Sequence, residues 1–195
     1  AMISWLKAMW SLAGAGRPAP RGPSLAANAA PSSSDQATKH RAMGNTFVAA
    51  ERWVDAEACY AKAIAIDPTD TASLINLGFV LVEQKRMTEA IPFLSRAVSA
   101  DPSAFDAYYF LGRVHVEMGH PNEAIAQFEK ALVAKPDFEA ALHDLCQTLL
   151  NTRRIGEAKA AAEKGVIRYP GSADFFYYLG TTQNDAREFN AAVDS

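Results

Sequence analysis

The feature that most constrains this chain is a recurrence of 34 residues. The segment from Phe105 to Asp137, FDAYYFLGRVHVEMGHPNEAIAQFEKALVAKPD, orders Tyr108, Leu111, Gly112, Ala124, Phe128, Ala131 and Pro136. The same order of large, small and helix-stopping residues returns 34 positions away on both sides. Aligning the small positions gives copies at 37–70, 71–104, 105–138 and 139–172 without insertions, and a partial copy at 173–195. Gly44, Gly78, Gly112 and Cys146 share one small position, and Ala56, Ala90, Ala124 and Ala158 share another. Ala63, Ala97, Ala131 and Gly165 make a third, and Pro68, Pro102, Pro136 and Pro170 close the copies. The fourth copy departs most, with Cys146 in place of glycine and Ala162 where Tyr60, Leu94 and Phe128 stand.

Each copy reads as two helices forced to touch. Gly112 and Ala124 put small side chains where backbones approach, while Tyr108, Phe128 and Ala131 fall on helical spacings and fill the seam. Gly119-His120-Pro121-Asn122 breaks the pattern, and Lys135-Pro136 stops the second helix. Such a pair cannot bury its apolar face alone, so neighbouring copies are expected to stack on it. Trp53, Met87, Pro121, Ile155 and Phe189 each follow a turn and are expected to plug it, which makes Trp53 a core residue. Pro92 is placed in the first turn of its helix behind a Thr88 cap.

On these residues the unit resembles the tetratricopeptide repeat, a 34-residue helix-turn-helix. The resemblance implies an all-α, right-handed superhelical solenoid over 37–195, with a concave groove lined by the first helix of each pair. In that family the second, fifth, ninth, twelfth and thirteenth residues of a repeat carry the groove. Transferred here, and with the sixth position added, they include Arg41, Asn45, Ile75, Asn76, Phe79, Val82, Tyr109, Arg113, Val116, His143, Gln147, Leu150 and Tyr177. Ile75, Phe79, Val82, Tyr109, Val116, Leu150 and Tyr177 are expected to give that groove an apolar, exposed floor. Family members that clamp a C-terminal carboxylate use basic residues and asparagines. Arg41, Asn45 and Asn76 match part of that set, but Asp106 and Phe110 stand where further bases belong. The sixth-position asparagine ladder of O-linked N-acetylglucosamine transferases is reduced here to Asn76, because Ala42, Phe110, Asp144 and Tyr178 occupy the other rungs.

Composition narrows the function classes. With 49% hydrophobic residues and a net charge of −3, the chain can bury a core and offers no basic patch for a phosphate backbone. Nucleic acid is therefore not expected as a partner. Cys59 and Cys146 lie on different copies at a spacing that fits neither a zinc site nor a redox pair, and read as reduced packing residues of a cytoplasmic protein. No phosphate loop, HExxH, GxSxG or CxxC occurs, and the four histidines fall at four different repeat positions. Neither an enzyme activity nor a cofactor or metal is expected.

Ahead of the repeats, Ala1 reads as a cloning remnant before Met2. Residues 1–13 are expected to form an amphipathic helix presenting Ile3, Trp5, Leu6, Met9 and Trp10, too short and too interrupted by Lys7 to span a bilayer. Arg17, Pro18, Pro20 and Arg21 stand where a signal peptide needs apolar residues. Residues 14–36 have the Gly, Pro, Ser and Ala composition of a flexible tether. Two function classes stay open. One is a non-catalytic scaffold that holds a peptide or helix in its groove and self-associates through the leading helix. The other is the targeting region of a larger enzyme, such as a glycosyltransferase, which the break inside a repeat at Ser195 keeps open. At that break, Phe189, Ala192 and Val193 are expected to fray or self-associate.

Overall fold

A computed structural model describes residues 32–193, with side chains through 184. The expected leading helix, most of the tether, and the side chains of Phe189, Ala192 and Val193 lie outside the described residues. Among the described residues there are nine α-helices and no strand: α1 Ser33–Ala49, α2 Trp53–Ile66, α3 Thr71–Glu83, α4 Met87–Ala100, α5 Phe105–Glu117, α6 Pro121–Ala134, α7 Glu139–Asn151, α8 Ile155–Arg168 and α9 Ala173–Val193. The chain divides into two compact units, one ending at Asp67 with α1 and α2, the other beginning at Pro68 with α3 to α9. From α3 onward the first helices start at Thr71, Phe105, Glu139 and Ala173, in the register of the repeat.

Three local expectations are corrected. Helix α1 begins inside the stretch assigned to the tether. Asp35 N–H donates to Ser32 Oγ at 3.1 Å and Ser32 N–H donates back to the Asp35 carboxylate at 3.2 Å, a capping box that starts the helix early. Thr88 is not a cap: α4 starts at Met87 behind Arg86, so Pro92 sits within the helix, on an exposed position where the lost backbone donor is least harmful. Trp53 is the first residue of α2 and is half-buried rather than core.

The turns inside the pairs share one backbone geometry. Glu51, Lys85, Gly119 and Arg153 all take positive φ, between 58° and 74°. The N–H groups of Arg52, Arg86, His120 and Arg154 reach back to the carbonyls of Phe47, Leu81, His115 and Leu149 at 2.8–3.0 Å. Each first helix thus ends in a left-handed residue that returns a hydrogen bond to the last turn. Only Gly119 adopts that conformation without a side-chain penalty, and the other three hold it because the second helix must fold back. The loops between pairs are set differently. Asp67, Asp101 and Lys135 are extended, as residues preceding a proline tend to be.

Close approach within each pair is the packing rule. A Cβ built on Gly44 would meet the Tyr60 ring at 2.5 Å, one on Gly78 would meet Leu94 at 2.4 Å, and one on Gly112 would meet Phe128 at 2.4 Å. Tyr60, Leu94 and Phe128 are all fully buried. In the fourth copy the sizes are reversed, with buried Cys146 on the first helix and buried Ala162 on the second. A further exchange follows, because a Cβ on Gly165 would lie 2.2 Å from the Phe175 ring, whereas Ser73, Ala107 and Ala141 hold the position of Phe175 in other copies.

In the second unit, two of the three neighbouring first-helix pairs touch, α3 with α5 and α7 with α9, while the second helices make no comparable contact with one another. In those two places the first helices are the more closely packed layer. Reciprocal packing predicts that Gly112→Cys destabilises by about 1–3 kcal/mol and Phe128→Ala by about 3–5 kcal/mol. The double variant, which copies the Cys146 and Ala162 pair, should lose at least about 1 kcal/mol less than the sum in urea unfolding. An additive result would mean that the two positions do not share space.

Candidate functional site

The first helices of the second unit carry the positions expected to line a groove, from Ile75 to Tyr177. Aromatic residues expected on its floor are instead its seam. Phe79, Val82 and Tyr109 are buried, with 5%, 1% and 2% exposure, which corrects the expectation that they present an open surface. Phe79 packs on Phe110 of the next first helix, with ring centroids 5.4 Å apart. Tyr109 packs on Phe138 at 5.0 Å and on Phe128 at 6.0 Å. First helices that touch squeeze their fifth, sixth and ninth positions between them, so Phe110 fills the place of an asparagine rung with core. The solvent-facing apolar residues are Val116 and Tyr177, the latter 70% exposed, with Ile75 and Leu150 half-buried.

The polar positions form a linked series along the same layer. Arg113, half-buried, pairs with Glu83 of α3 at 3.5 Å. The Tyr109 hydroxyl lies within hydrogen-bonding reach of Asp144, and burial together with that carboxylate drives its pKa upward. His143 Nδ1 lies 3.0 Å from Asp144 Oδ1, and its Nε2 lies 2.8 Å from the Tyr178 hydroxyl. Tyr178 also reaches Gln147 Oε1 at 3.3 Å, and Gln147 donates to Asn151 at 3.0 Å. Asp174 approaches His143 Nε2 at 3.8 Å. With neutral His143, the Tyr178 hydroxyl donates to Nε2; with charged His143, Nε2–H donates and the hydroxyl turns to Gln147. His143 and Gln147 are thus brought together with each other. The partners Asp144 and Tyr178 were read from sequence only as missing asparagine rungs.

Asp106 is the odd member. Its Oδ1 is buried without a hydrogen-bond partner, and desolvation raises its pKa to about 6 although Lys135 opposes the shift. The Lys135 ammonium is itself seated on aromatic faces, 4.4 Å from the Phe105 centroid and 5.6 Å from that of Phe138. Asn76 is half-buried on α3. In the first unit, Arg41 and Asn45 are half-buried on α1, and Asn45 Oδ1 accepts from the Tyr60 hydroxyl at 3.0 Å.

A hollow of about 670 Å³ lies on the other layer, between α6, α7 and α8, with Leu142, Leu145 and Leu149 at its base and exposed Val133 and Ile167 beside it. No sequence motif points to it, and it opens where α8 is rich in alanine. Among the described residues no group of three or more His, Cys, Asp or Glu is placed to hold a metal, and no helix is long and apolar enough to cross a membrane. Cys59 and Cys146 are both buried and free, and burial pushes the Cys146 thiol up to about 12.

Asp106 and His143 act in the same direction, and His115, whose pKa burial lowers, opposes them. The hydrogen bond to Asp144 raises the His143 pKa, aided by Asp174 and Glu139, so its stabilisation is present below about pH 6.5 and lost above. Asp106 is raised by burial, so the folded state binds its proton more tightly and stability falls as pH rises from about 4 through 6. With His115→Gln removing the opposing group, midpoints of chemical unfolding should decrease between about pH 4 and 8, and His143→Gln should flatten the upper part of that decline. Asp106→Asn should flatten the lower part and stabilise at pH 7.5 by up to about 3 kcal/mol. A flat profile in the His115→Gln background would contradict both assignments.

Two family models, each described as Tetratricopeptide repeat, match residues 69–135 and 115–178, together more than half of the chain. No curated protein matches. Among solved structures, MamA protein superposes with a TM-score of 0.71 at 21% identity, over 82% of this chain and 87% of that one. YrrB, described as a TPR protein with an unusual peptide-binding site, gives 0.66 at 24% identity, over 77% and 78%. The first TPR of Spaghetti (RPAP3), bound to the HSP90 peptide SRMEEVD, gives 0.60 at 22% identity, over 62% and 95%. At these identities the superpositions speak for the fold alone, and they agree with the helical pairs described above. By its two model matches and its 34-residue helical pairs, this chain belongs to the tetratricopeptide repeat family.

Proposed function

We propose that the chain is a non-catalytic interaction scaffold whose inner helical layer receives a peptide or helix from a protein partner. The observation that carries this reading is the pairing of exposed Tyr177 and Val116 with a polar series from Glu83 to Asn151 on one layer. An apolar surface with fixed hydrogen-bonding groups beside it suits an extended or helical ligand. The peptide-binding proteins of the same fold, YrrB and RPAP3, support the reading. The free, buried cysteines fit a reducing compartment such as the cytoplasm.

The leading segment supplies a partner of its own. Ile3, Trp5, Leu6, Met9 and Trp10 offer an apolar stripe on a tether that spans on the order of 25 Å. Burying two indoles would remove on the order of 300–400 Å² from water, against a loop-closure term of a few kcal/mol. Occupancy of the chain's own groove, or exchange between copies into a homo-oligomer, is the arrangement proposed. Light scattering of the intact chain and of a chain lacking 2–31 tests exchange, with a lower mass expected after deletion. Tyr177→Glu should shift Trp5 and Trp10 emission to the red and abolish partner capture in a pull-down, whereas Ile167→Glu on the outer hollow should do neither. Indoles that emit as fully solvated in the intact chain would remove the leader from the scheme.

A further inference from the structure

Charge in the second unit is divided unevenly between its layers. The second helices α4, α6 and α8 carry equal numbers of acidic and basic side chains. The first helices, through residue 184, carry Glu83, Asp106, Glu117, Glu139, Asp144 and Asp174, with Arg113 as their sole Lys or Arg. That arginine is already paired with Glu83, and Lys85 from the turn reaches Glu117 at 3.2 Å. Carboxylates concentrated on one helical layer add their fields in the space beside it that a ligand would enter.

Two of these carboxylates are placed to want a cation. Asp106 has a buried oxygen that no donor reaches, and its ionised form is held back by burial. A buried acceptor left unmade is unfavourable until a donor arrives, and a charged donor would favour ionisation as well. Asp174 is 67% exposed and lies 3.8 Å from the imidazole edge of His143. One helical turn on, Tyr177 presents an open ring, against which the stem of a Lys or Arg can lie while its head reaches Asp174. Resting on the inner-face reading above, we infer that the partner segment is basic, with Lys or Arg side chains at Asp106 and Asp174 and apolar side chains between them. The acidic peptide SRMEEVD held by RPAP3 would meet like charge here.

A matched pair of labelled peptides tests this: SRMEEVD and its charge-reversed counterpart SRMKKVK, amidated, by fluorescence anisotropy against the full chain and against the chain lacking 2–31. The basic peptide should bind at least tenfold more tightly at low ionic strength, with the preference shrinking as salt screens it. Asp106→Asn and Asp174→Asn should each weaken it severalfold, while Glu129→Gln and Glu163→Gln on the outer layer should leave it unchanged. Asp174→Asn alters an exposed side chain and keeps the test open if Asp106→Asn perturbs folding. Equal or tighter binding of SRMEEVD would overturn the charge preference while leaving the groove standing. Binding of SRMKKVK that is lost equally with the outer-layer variants would also overturn it, as diffuse attraction to an acidic protein. Failure of both peptides to bind either chain, with Tyr177→Glu also without effect on partner capture, would count against the inner-face reading itself.

Discussion

The structure depends on one close approach, repeated. Where Gly44, Gly78 and Gly112 lie, a large side chain of the paired helix occupies the volume a Cβ would need, and each ring or isobutyl group is fully buried. Glycine within a helix forfeits about 1 kcal/mol of propensity relative to alanine. Burying Tyr60, Leu94 or Phe128 returns more than that, at about 1.5–3 kcal/mol for a large side chain. The contact fixes how near the two axes come, and that spacing lets the next pair dock at the same height 34 residues later.

Volume, rather than residue identity, is what the repeat preserves. Cys146 with Ala162 moves bulk from one helix of the pair to the other, and Gly165 with Phe175 does the same at the next interface. Close-packed interiors accept such exchanges when the total is kept. A consequence is the alanine-rich α8, which leaves the outer hollow above Leu142, Leu145 and Leu149. Core and surface are thus coupled: one size reversal in the seam shapes a concavity on the far layer.

The inner layer combines two demands that compete for the same positions. Tight spacing of first helices recruits Phe79, Tyr109 and Phe110 into the seam, and removes them from the face. What remains exposed is concentrated toward α9, around Tyr177, and is bordered by carboxylates. The polar series from Asp144 through His143 to Tyr178 and Gln147 spans α7 and α9, so it orients the face and ties two repeats together. In a half-buried setting these hydrogen bonds are worth more than on an open surface, and one proton on His143 redirects the Tyr178 hydroxyl.

The repeat period, the all-helical fold, the helix starts from Thr71 onward and the Gly112 with Phe128 contact were legible in the sequence, because small and large residues at a fixed interval have few ways to pack. The left-handed residues Glu51, Lys85 and Arg153 were not, since only Gly119 advertises that backbone and the other three are held in it by the return of the second helix. Placement on the first helices was legible in the sequence, but exposure was not. Whether Tyr109 or Tyr177 faces solvent depends on how closely the neighbouring first helix lies, a distance that no single repeat contains. Nor did the sequence pattern mark Asp106 as unsatisfied or Asp144 as the partner of His143 and Tyr109. Desolvation and hydrogen bonding across helices arise from neighbours far apart in the chain, and only the tertiary structure decides them.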